Sequence, residues 1–393
     1  MENPFRFGGE LSRADLVNRE EEIAEVLSTV RSGEKLFLIG PRRYGKTSLL
    51  NAAIEQGEAE GMVLLSFNAE AFPTLADLTR RIFAETTRRL ISPTRKAGQE
   101  VKRIFTRLKP EISVDLAEQT ISASLGLEPE QAAEAAPLLV EVLDGVEQLA
   151  QKVSAPVGLV LDEFQQVITL GGQNAEGQLR AALQRHRKVG YVFAGSDTRM
   201  LAEMTTDRSR PFYRLGARRF LSALPDQQVR DWLIARFAAG GFRLSGEAAD
   251  YLIEMAEHVP YDIQLLAHTC WNLLLGQKKR RLSQELIAAA GDLLIGQNDP
   301  VFNSIWNQLS PNQKTSLLAV INEEGKLMTS QQALRRYRLA AATMQKSLTA
   351  LRDKGIIRSE ETFQAAHWRF EDPLFKRWLA AQARKAGMIP PRE

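Results

Sequence analysis

The feature that most constrains this chain is the stretch Gly40-Pro41-Arg42-Arg43-Tyr44-Gly45-Lys46-Thr47, set between an apolar run and an amphipathic segment. The run before it, Lys35-Leu36-Phe37-Leu38-Ile39, is too short for a helix and continuously apolar, which predicts a strand buried on both faces of a parallel sheet. The segment after it, Thr47 to Glu55, carries Leu49, Leu50, Ala53 and Ile54 at helical spacing. Strand, glycine-rich loop and helix in that order make a phosphate cradle. Gly40 and Gly45 admit conformations and close approaches that a Cβ forbids, so successive N–H groups can converge on a β-phosphate. Lys46 then reaches the β- and γ-phosphates, Thr47 ligates Mg2+, Ser48 continues the lining, and the helix presents its positive N-terminus. The expectation is a chain that binds ATP or ADP with magnesium.

A second acidic site strengthens it. The run Val157-Gly158-Leu159-Val160-Leu161 ends in Asp162 and Glu163. The first acid after such a strand holds magnesium, commonly through water, and the second polarises the attacking water. The strand Tyr191-Val192-Phe193-Ala194-Gly195 ends in Ser196-Asp197-Thr198. At a sheet edge beside the Asp162 strand, Ser196 is the candidate to face the γ-phosphate, with Asp197 next. The competing reading is a helix N-cap for Arg199–Met204, since these are capping residue types.

Further short apolar runs, Met62–Phe67 and the weaker Phe220-Leu221, alternate with helical patterns at Arg19–Val30, Leu75–Leu90, Ala135–Val153 and Ala175–Arg187. That alternation predicts an α/β domain with a mostly parallel sheet over residues 1–224. Two alternating runs near 110–126 predict an inserted hairpin. From Pro225 to about Gln297 the pattern is wholly helical, a small bundle or lid over 225–299. Asn298-Asp299-Pro300 predicts a break before a last domain, 300–393. There, Ser310-Pro311 caps one helix, Thr329-Ser330 a second, and Ala341–Asp353 reads as a third stopped by Gly355. Strands at Ile356–Arg358 and His367–Phe370 complete a winged helix.

With 393 residues, 44% apolar and 25% charged, the chain has the profile of a multi-domain globular protein. No apolar stretch is long enough to span a bilayer, and the start, Met1 to Arg6, has no signal-peptide character, so a cytoplasmic setting without membrane contact is the default. Cys270 stands alone in an apolar helical pattern and reads as core. The formal charge of +3 is uneven: from residue 301 onward 15 Lys/Arg face 8 Asp/Glu, a balance of +7. A second basic concentration runs from Arg80 to Lys109. Such clusters attract phosphate backbones, or simply keep helix faces solvated.

The phosphate loop with its double arginine, Val160-Leu161-Asp162-Glu163-Phe164-Gln165, Leu16-Val17-Asn18-Arg19-Glu20-Glu21-Glu22-Ile23 and Pro260-Tyr261-Asp262-Ile263-Gln264 together resemble the prokaryotic/archaeal P-loop ATPase family related to STAND and AAA+ proteins. The resemblance implies a P-loop NTPase αβα sandwich, a helical lid and a C-terminal winged helix. It implies that Val17, Asn18 and Arg19 line the adenine side, that Pro260 of the lid approaches nucleotide, and that Arg214 senses or stabilises the γ-phosphate. The chain departs from the family at His258-Val259-Pro260, where relatives often carry Gly two residues before the proline, and in a shortened Tyr213-Arg214 pattern.

If the winged helix reads duplex DNA, its third helix enters the major groove with Thr343, Gln345, Lys346 and Thr349, while Arg335, Arg336 and Arg338 contact phosphates. The same domain type also serves protein partners. The combined expectation is an ATPase in which Glu163, Lys46, Arg214 and Ser196 promote hydrolysis and the winged helix follows the nucleotide state. One alternative is a slow STAND-like switch on a protein partner. The other is an oligomeric DNA-remodelling or loading ATPase.

Overall fold

The computed structural model of the chain describes residues 2–9, 13, 16–94, 96–105, 108, 110–115, 118–125, 135–172, 174–361 and 366–387. These form two compact units, Gly8–Ala223 and Met1–Phe7 with Leu224–Glu393.

The first unit is layered. Its sheet contains β1 (Lys35–Ile39), β2 (Val63–Asn68), β5 (Val157–Asp162), β6 (Val189–Gly195) and β7 (Ala217–Phe220), all parallel, in the order β2-β5-β6-β1-β7. Leu36, Phe37, Leu38 and Ile39 are fully buried, as the continuous apolar run requires, each contributing about 1.5–3 kcal/mol. Helices α1 (Glu20–Ser32) and α2 (Lys46–Ala59) cover one face, where Val26, Leu27 and Val30 join Leu49 and Ala53 in one core with Leu36 and Leu38. The opposite core holds Phe37, Phe164, Phe193 and Phe212 with helices α3 (Leu75–Leu90), α4 (Ala97–Ile104), α5 (Ala135–Ala150), α6 (Gln165–Gly171), α7 (Ala175–Leu183) and α8 (Thr198–Thr206) around it.

The inserted hairpin is β3 (Pro110–Asp115) with β4 (Thr120–Leu125), antiparallel with Val114 opposite Ile121. Residue 126 and Lys109, the end of the basic stretch, lie outside the described residues.

Two features of the sheet differ from expectation. The strand that ends at Ser196 is central, between β5 and β1, and not an edge. The fifth strand begins at Ala217, before the apolar pair: backbone pairing with β1 recruits Ala217-Arg218-Arg219, of which Ala217 and Arg218 are exposed and Arg219 is half-buried.

The second unit opens with helices α9 (Asp226–Ala239), α10 (Gly246–Met255), α11 (Pro260–Gly276) and α12 (Gln284–Asn307), with two short strands, β8 (Arg243–Leu244) and β9 (Arg281–Leu282), paired between them. The first residues of the chain belong here. Phe5 is buried among Phe237, Trp232 and Trp271 at ring-centroid distances of 4.8, 5.5 and 6.0 Å, and Asn3 Nδ2 donates to His268 O and Asn272 Oδ1. Cys270 is fully buried, and burial pushes its thiol pKa well up.

The expected break at Asn298-Asp299-Pro300 is absent, because α12 runs straight through Pro300. A proline inside a helix costs about 3 kcal/mol. Tertiary packing offsets it: Trp378 Nε1 donates to Asp299 Oδ1 at 2.7 Å, and Phe302 packs on Phe375 and Trp378.

The remaining elements are α13 (Pro311–Asn322), α14 (Gln331–Tyr337), α15 (Ala341–Asp353), the antiparallel pair β10 (Ile357–Glu361) and β11 (Ala366–Phe370), and α16 (Pro373–Lys385). Ser310 forms a full capping box with Gln313, and Ser330 caps α14. No helix among the described residues is long and apolar enough to cross a membrane.

Candidate nucleotide site and nucleic-acid interface

The loop between β1 and α2 has the backbone that the glycine spacing calls for. Gly45 sits at φ +81 and Arg43 at φ +68, in the left-handed region. A Cβ on Gly40 would stand 2.8 Å from Leu221 Cβ, so only glycine lets the loop pass the residue that follows β7. Gly45 is the N-cap of α2, and Tyr44 is buried beneath the loop. Pro41 is half-buried, while Arg42 and Arg43 face solvent, with Arg42 3.7 Å from Glu70. Ser48 is buried one residue into the helix.

Lys46 is buried and donates from Nζ to Gly40 O at 2.8 Å and Pro41 O at 3.0 Å, so its ammonium lies inside the loop's curve. Thr47 Oγ1 donates to Asp162 Oδ2 at 2.7 Å, across from the end of β5 to the start of α2. A hydroxyl and a carboxylate this close suit a small hard cation bound by oxygen, and convergent loop amides suit a polyphosphate. The residues present therefore fit a magnesium nucleotide.

Asp162 is buried, and its Oδ1 accepts Glu163 N at 2.9 Å. That bond accompanies a left-handed backbone at Glu163, φ +50, a conformation that costs free energy in a residue with a Cβ and concentrates at functional sites. Glu163 Oε2 accepts three hydrogen bonds: from Gln165 Nε2 at 2.6 Å, Ser196 Oγ at 2.7 Å and Ser196 N at 3.1 Å. Burial pushes this carboxyl upward, but the Ser196 and Gln165 hydrogen bonds and the Lys46 charge outweigh it and hold its pKa below the ordinary value.

The two readings of Ser196-Asp197 divide between the residues. Ser196 turns to Glu163, whereas Asp197 caps α8 by accepting Met200 N at 2.9 Å.

Among the residues expected on the adenine side, Val17 is half-buried and Asn18 is exposed at φ +45. Arg19 is buried and braced: it bonds Glu22 Oε1 at 2.9 Å, Ser222 O at 3.3 Å and Tyr44 O at 3.4 Å, tying the start of α1 to the phosphate loop. Arg214 is exposed at φ +55, its guanidinium 5.2 Å from the Tyr213 ring. Its loop is fixed by Arg180, which donates to Tyr213 O at 2.9 Å and to Pro211 O, and by the Arg210–Glu176 pair. Pro260 opens α11 in the other unit. The residue that sequence reasoning missed as part of the site is Gln165; its signal was its position two residues after Glu163.

On the winged helix, α15 buries Met344, Leu348 and Leu351 and exposes Gln345 and Lys346, with Thr343 and Thr349 half-buried. Arg335 and Arg338 are exposed, Arg338 as the left-handed C-cap of α14. Arg336 departs from the expected phosphate contacts. Its Nη1 donates to Glu323 Oε1 at 2.7 Å with only 11% of the side chain exposed, so its charge is already spent inside the domain.

Residues 300–381 match a family model described as a probable winged helix domain. The comparison with curated proteins finds no match. Among solved structures, the chain is similar to a Walker-type ATPase of Pyrococcus abyssi, with 16% identity, TM-score 0.62, and coverage of 96% of this chain and 99% of that one. The Aeropyrum pernix ORC2 protein aligns at 14% identity and TM-score 0.49 over 98% of each chain. The ORC1 protein of the same organism, in complex with DNA, aligns at 13% identity and TM-score 0.48 over 95% of this chain and 94% of that one. The chain thus has the fold of a P-loop ATPase followed by a winged helix.

Proposed function

We propose that the protein is a magnesium-dependent ATPase that acts as a nucleotide-driven switch, with its winged helix on duplex DNA. The observation that carries the enzymatic reading is the convergence of Lys46, Thr47, Asp162 and Glu163 at one end of the sheet, with Oε2 of Glu163 fixed by three donors.

The loop amides and Lys46 hold the β- and γ-phosphates. Thr47 and Asp162 hold magnesium, which when bound neutralises charge on the phosphate oxygens. Glu163, ionised at neutral pH, orients water through its second oxygen and takes up its proton as the water oxygen bonds to the γ-phosphorus. The bond to the bridging oxygen breaks, and ADP and phosphate leave. In such transfers positioning and electrostatics supply most of the acceleration. Ser196 positions Glu163, and Arg214 is the candidate cation for charge on the transferred group. Val17, Asn18 and Arg19 are the candidate adenine-side segment.

Exposed Arg335, Arg338, Gln345 and Lys346 favour DNA as the partner of the winged helix. The first two suit phosphates and the last two a groove.

The test is ATP turnover, with and without duplex DNA, for the intact chain and for Glu163→Gln. The substitution keeps nucleotide binding and lowers kcat on the order of 10²- to 10⁴-fold. Unchanged turnover rejects the role of Glu163, and no DNA association in dilute buffer replaces the DNA reading with a protein partner.

A further inference from the structure

The amide of Gln165 occupies an unusual place. Its side chain lies at the start of α6, only 8% exposed, between the carboxylate of Glu163 and the end of β6. Nε2 faces Glu163 Oε2 at 2.6 Å and Ser196 Oγ at 3.4 Å. Oε1 is buried with no hydrogen-bond partner. The opposite orientation of the amide would set Oε1 against a carboxylate oxygen, so the observed one is electrostatically required. The slot exists because residue 195 is glycine: a Cβ there would come within 2.2 Å of Gln165 Oε1 and 2.5 Å of Leu201 Cδ1.

A buried carbonyl without a partner is a standing cost. A methionine would fill the same volume without it. The amide is thus suboptimal for folding in the one direction that delivers an N–H to Glu163.

We propose that Gln165 is a positioning residue for hydrolysis, holding Glu163 by its Oε2 so that the other carboxylate oxygen meets the attacking water. The inference rests on the ATPase reading above and assigns to that site a residue acting through Glu163. Ser196 supplies two donors from one direction, the end of β6, and Gln165 supplies the third from α6. A carboxylate gripped from two elements cannot swing about its last torsion, and the left-handed backbone at residue 163 already sets the direction of its side chain.

The experiment compares the full chain with Gln165→Met, Gln165→Glu, Glu163→Gln and the Gln165→Met/Glu163→Gln double variant. The readouts are kcat and KM for magnesium ATP, nucleotide binding and Tm. For Gln165→Met, kcat falls on the order of 10- to 100-fold. KM stays within about twofold, since no contact to nucleotide is removed, and Tm does not fall. Gln165→Glu, the same size in the same slot but with no N–H to give Glu163, lowers kcat at least as far. In the Glu163→Gln background, Gln165→Met changes kcat less than about twofold, as expected for residues acting as one unit.

An undiminished kcat in Gln165→Met overturns the proposal, as does an additive loss in the double variant. Loss of nucleotide binding with a lower Tm in both substitutions of Gln165 also overturns it, since Gln165 is then structural. Failure of the ATPase reading looks different: the intact chain itself shows no turnover that Glu163→Gln removes.

Discussion

The two units of the molecule use polar side chains in opposite ways. At the carboxyl ends of β1, β5 and β6 the site residues bond to one another: Lys46 to the loop carbonyls, Thr47 to Asp162, Ser196 and Gln165 to Glu163. On the winged helix the basic residues divide into two sets. Arg336 is spent on Glu323, Arg358 on Glu371 and Lys376 on Glu257, while Arg335, Arg338 and Lys346 face solvent. The candidate site can be read from a motif because one loop geometry demands those residues at that spacing. A charge balance is weaker evidence, because a count of +7 does not separate charges that hold the domain together from charges available to a partner.

The largest expected effect falls on the second unit. Phe5 is 1% exposed and touches three aromatic rings from α9 and α11, although it is far from them in sequence. Phe5→Ala costs about 3–5 kcal/mol of stability in that unit, read as a lower midpoint in urea unfolding followed by tryptophan fluorescence. A change below about 1 kcal/mol breaks the assignment of the first residues to the core of that unit.

Next comes Arg336→Ala, which leaves Glu323 without its cation and costs about 1.5–3 kcal/mol, while DNA affinity per folded molecule stays constant. Should DNA affinity fall with stability intact, the division of the basic residues is wrong. Ser310→Ala removes the capping box of α13 and costs about 1 kcal/mol, measured the same way. The comparison sharpens if this loss, like that of Arg336, leaves hydrolysis by the other unit unchanged.

How much of this was legible in sequence depended on whether neighbours along the chain decided the outcome. Helix α3 has its expected bounds, Leu75–Leu90, because Thr74 caps it by accepting Asp77 N at 3.1 Å and its apolar periodicity is unbroken. Helix α15 spans Ala341–Asp353, with Gly355 at φ +67 just beyond. The strand Lys35–Ile39 and its loop follow from composition and steric need. Tertiary contacts decided the rest. Pro300 stays inside a helix because Trp378, far along the chain, bonds Asp299. Arg218 and Arg219 enter a strand because β1 offers a free edge. The contacts of Gln165 with Ser196 and of Arg19 with Tyr44 and Ser222 come from other parts of the fold, and no local pattern announces them.

The smallest effect is the most pointed test of the winged helix. Arg338 closes α14 at φ +53 with an exposed guanidinium, one turn before α15 begins. Arg338→Gln keeps the stem and removes the charge, so Tm barely moves, as for most exposed side chains. If Arg338 meets a DNA phosphate, affinity falls by a similar factor for unrelated duplexes, because a backbone contact carries no sequence information. The slope of log affinity against log salt then shrinks by about 0.9, one counterion fewer released. Arg336→Gln at the same salt concentrations leaves that slope where it was. Equal slopes for the intact chain and Arg338→Gln remove Arg338 from the interface, and a slope that changes for Arg336→Gln instead reverses which of these neighbours is spent on the fold and which on the partner.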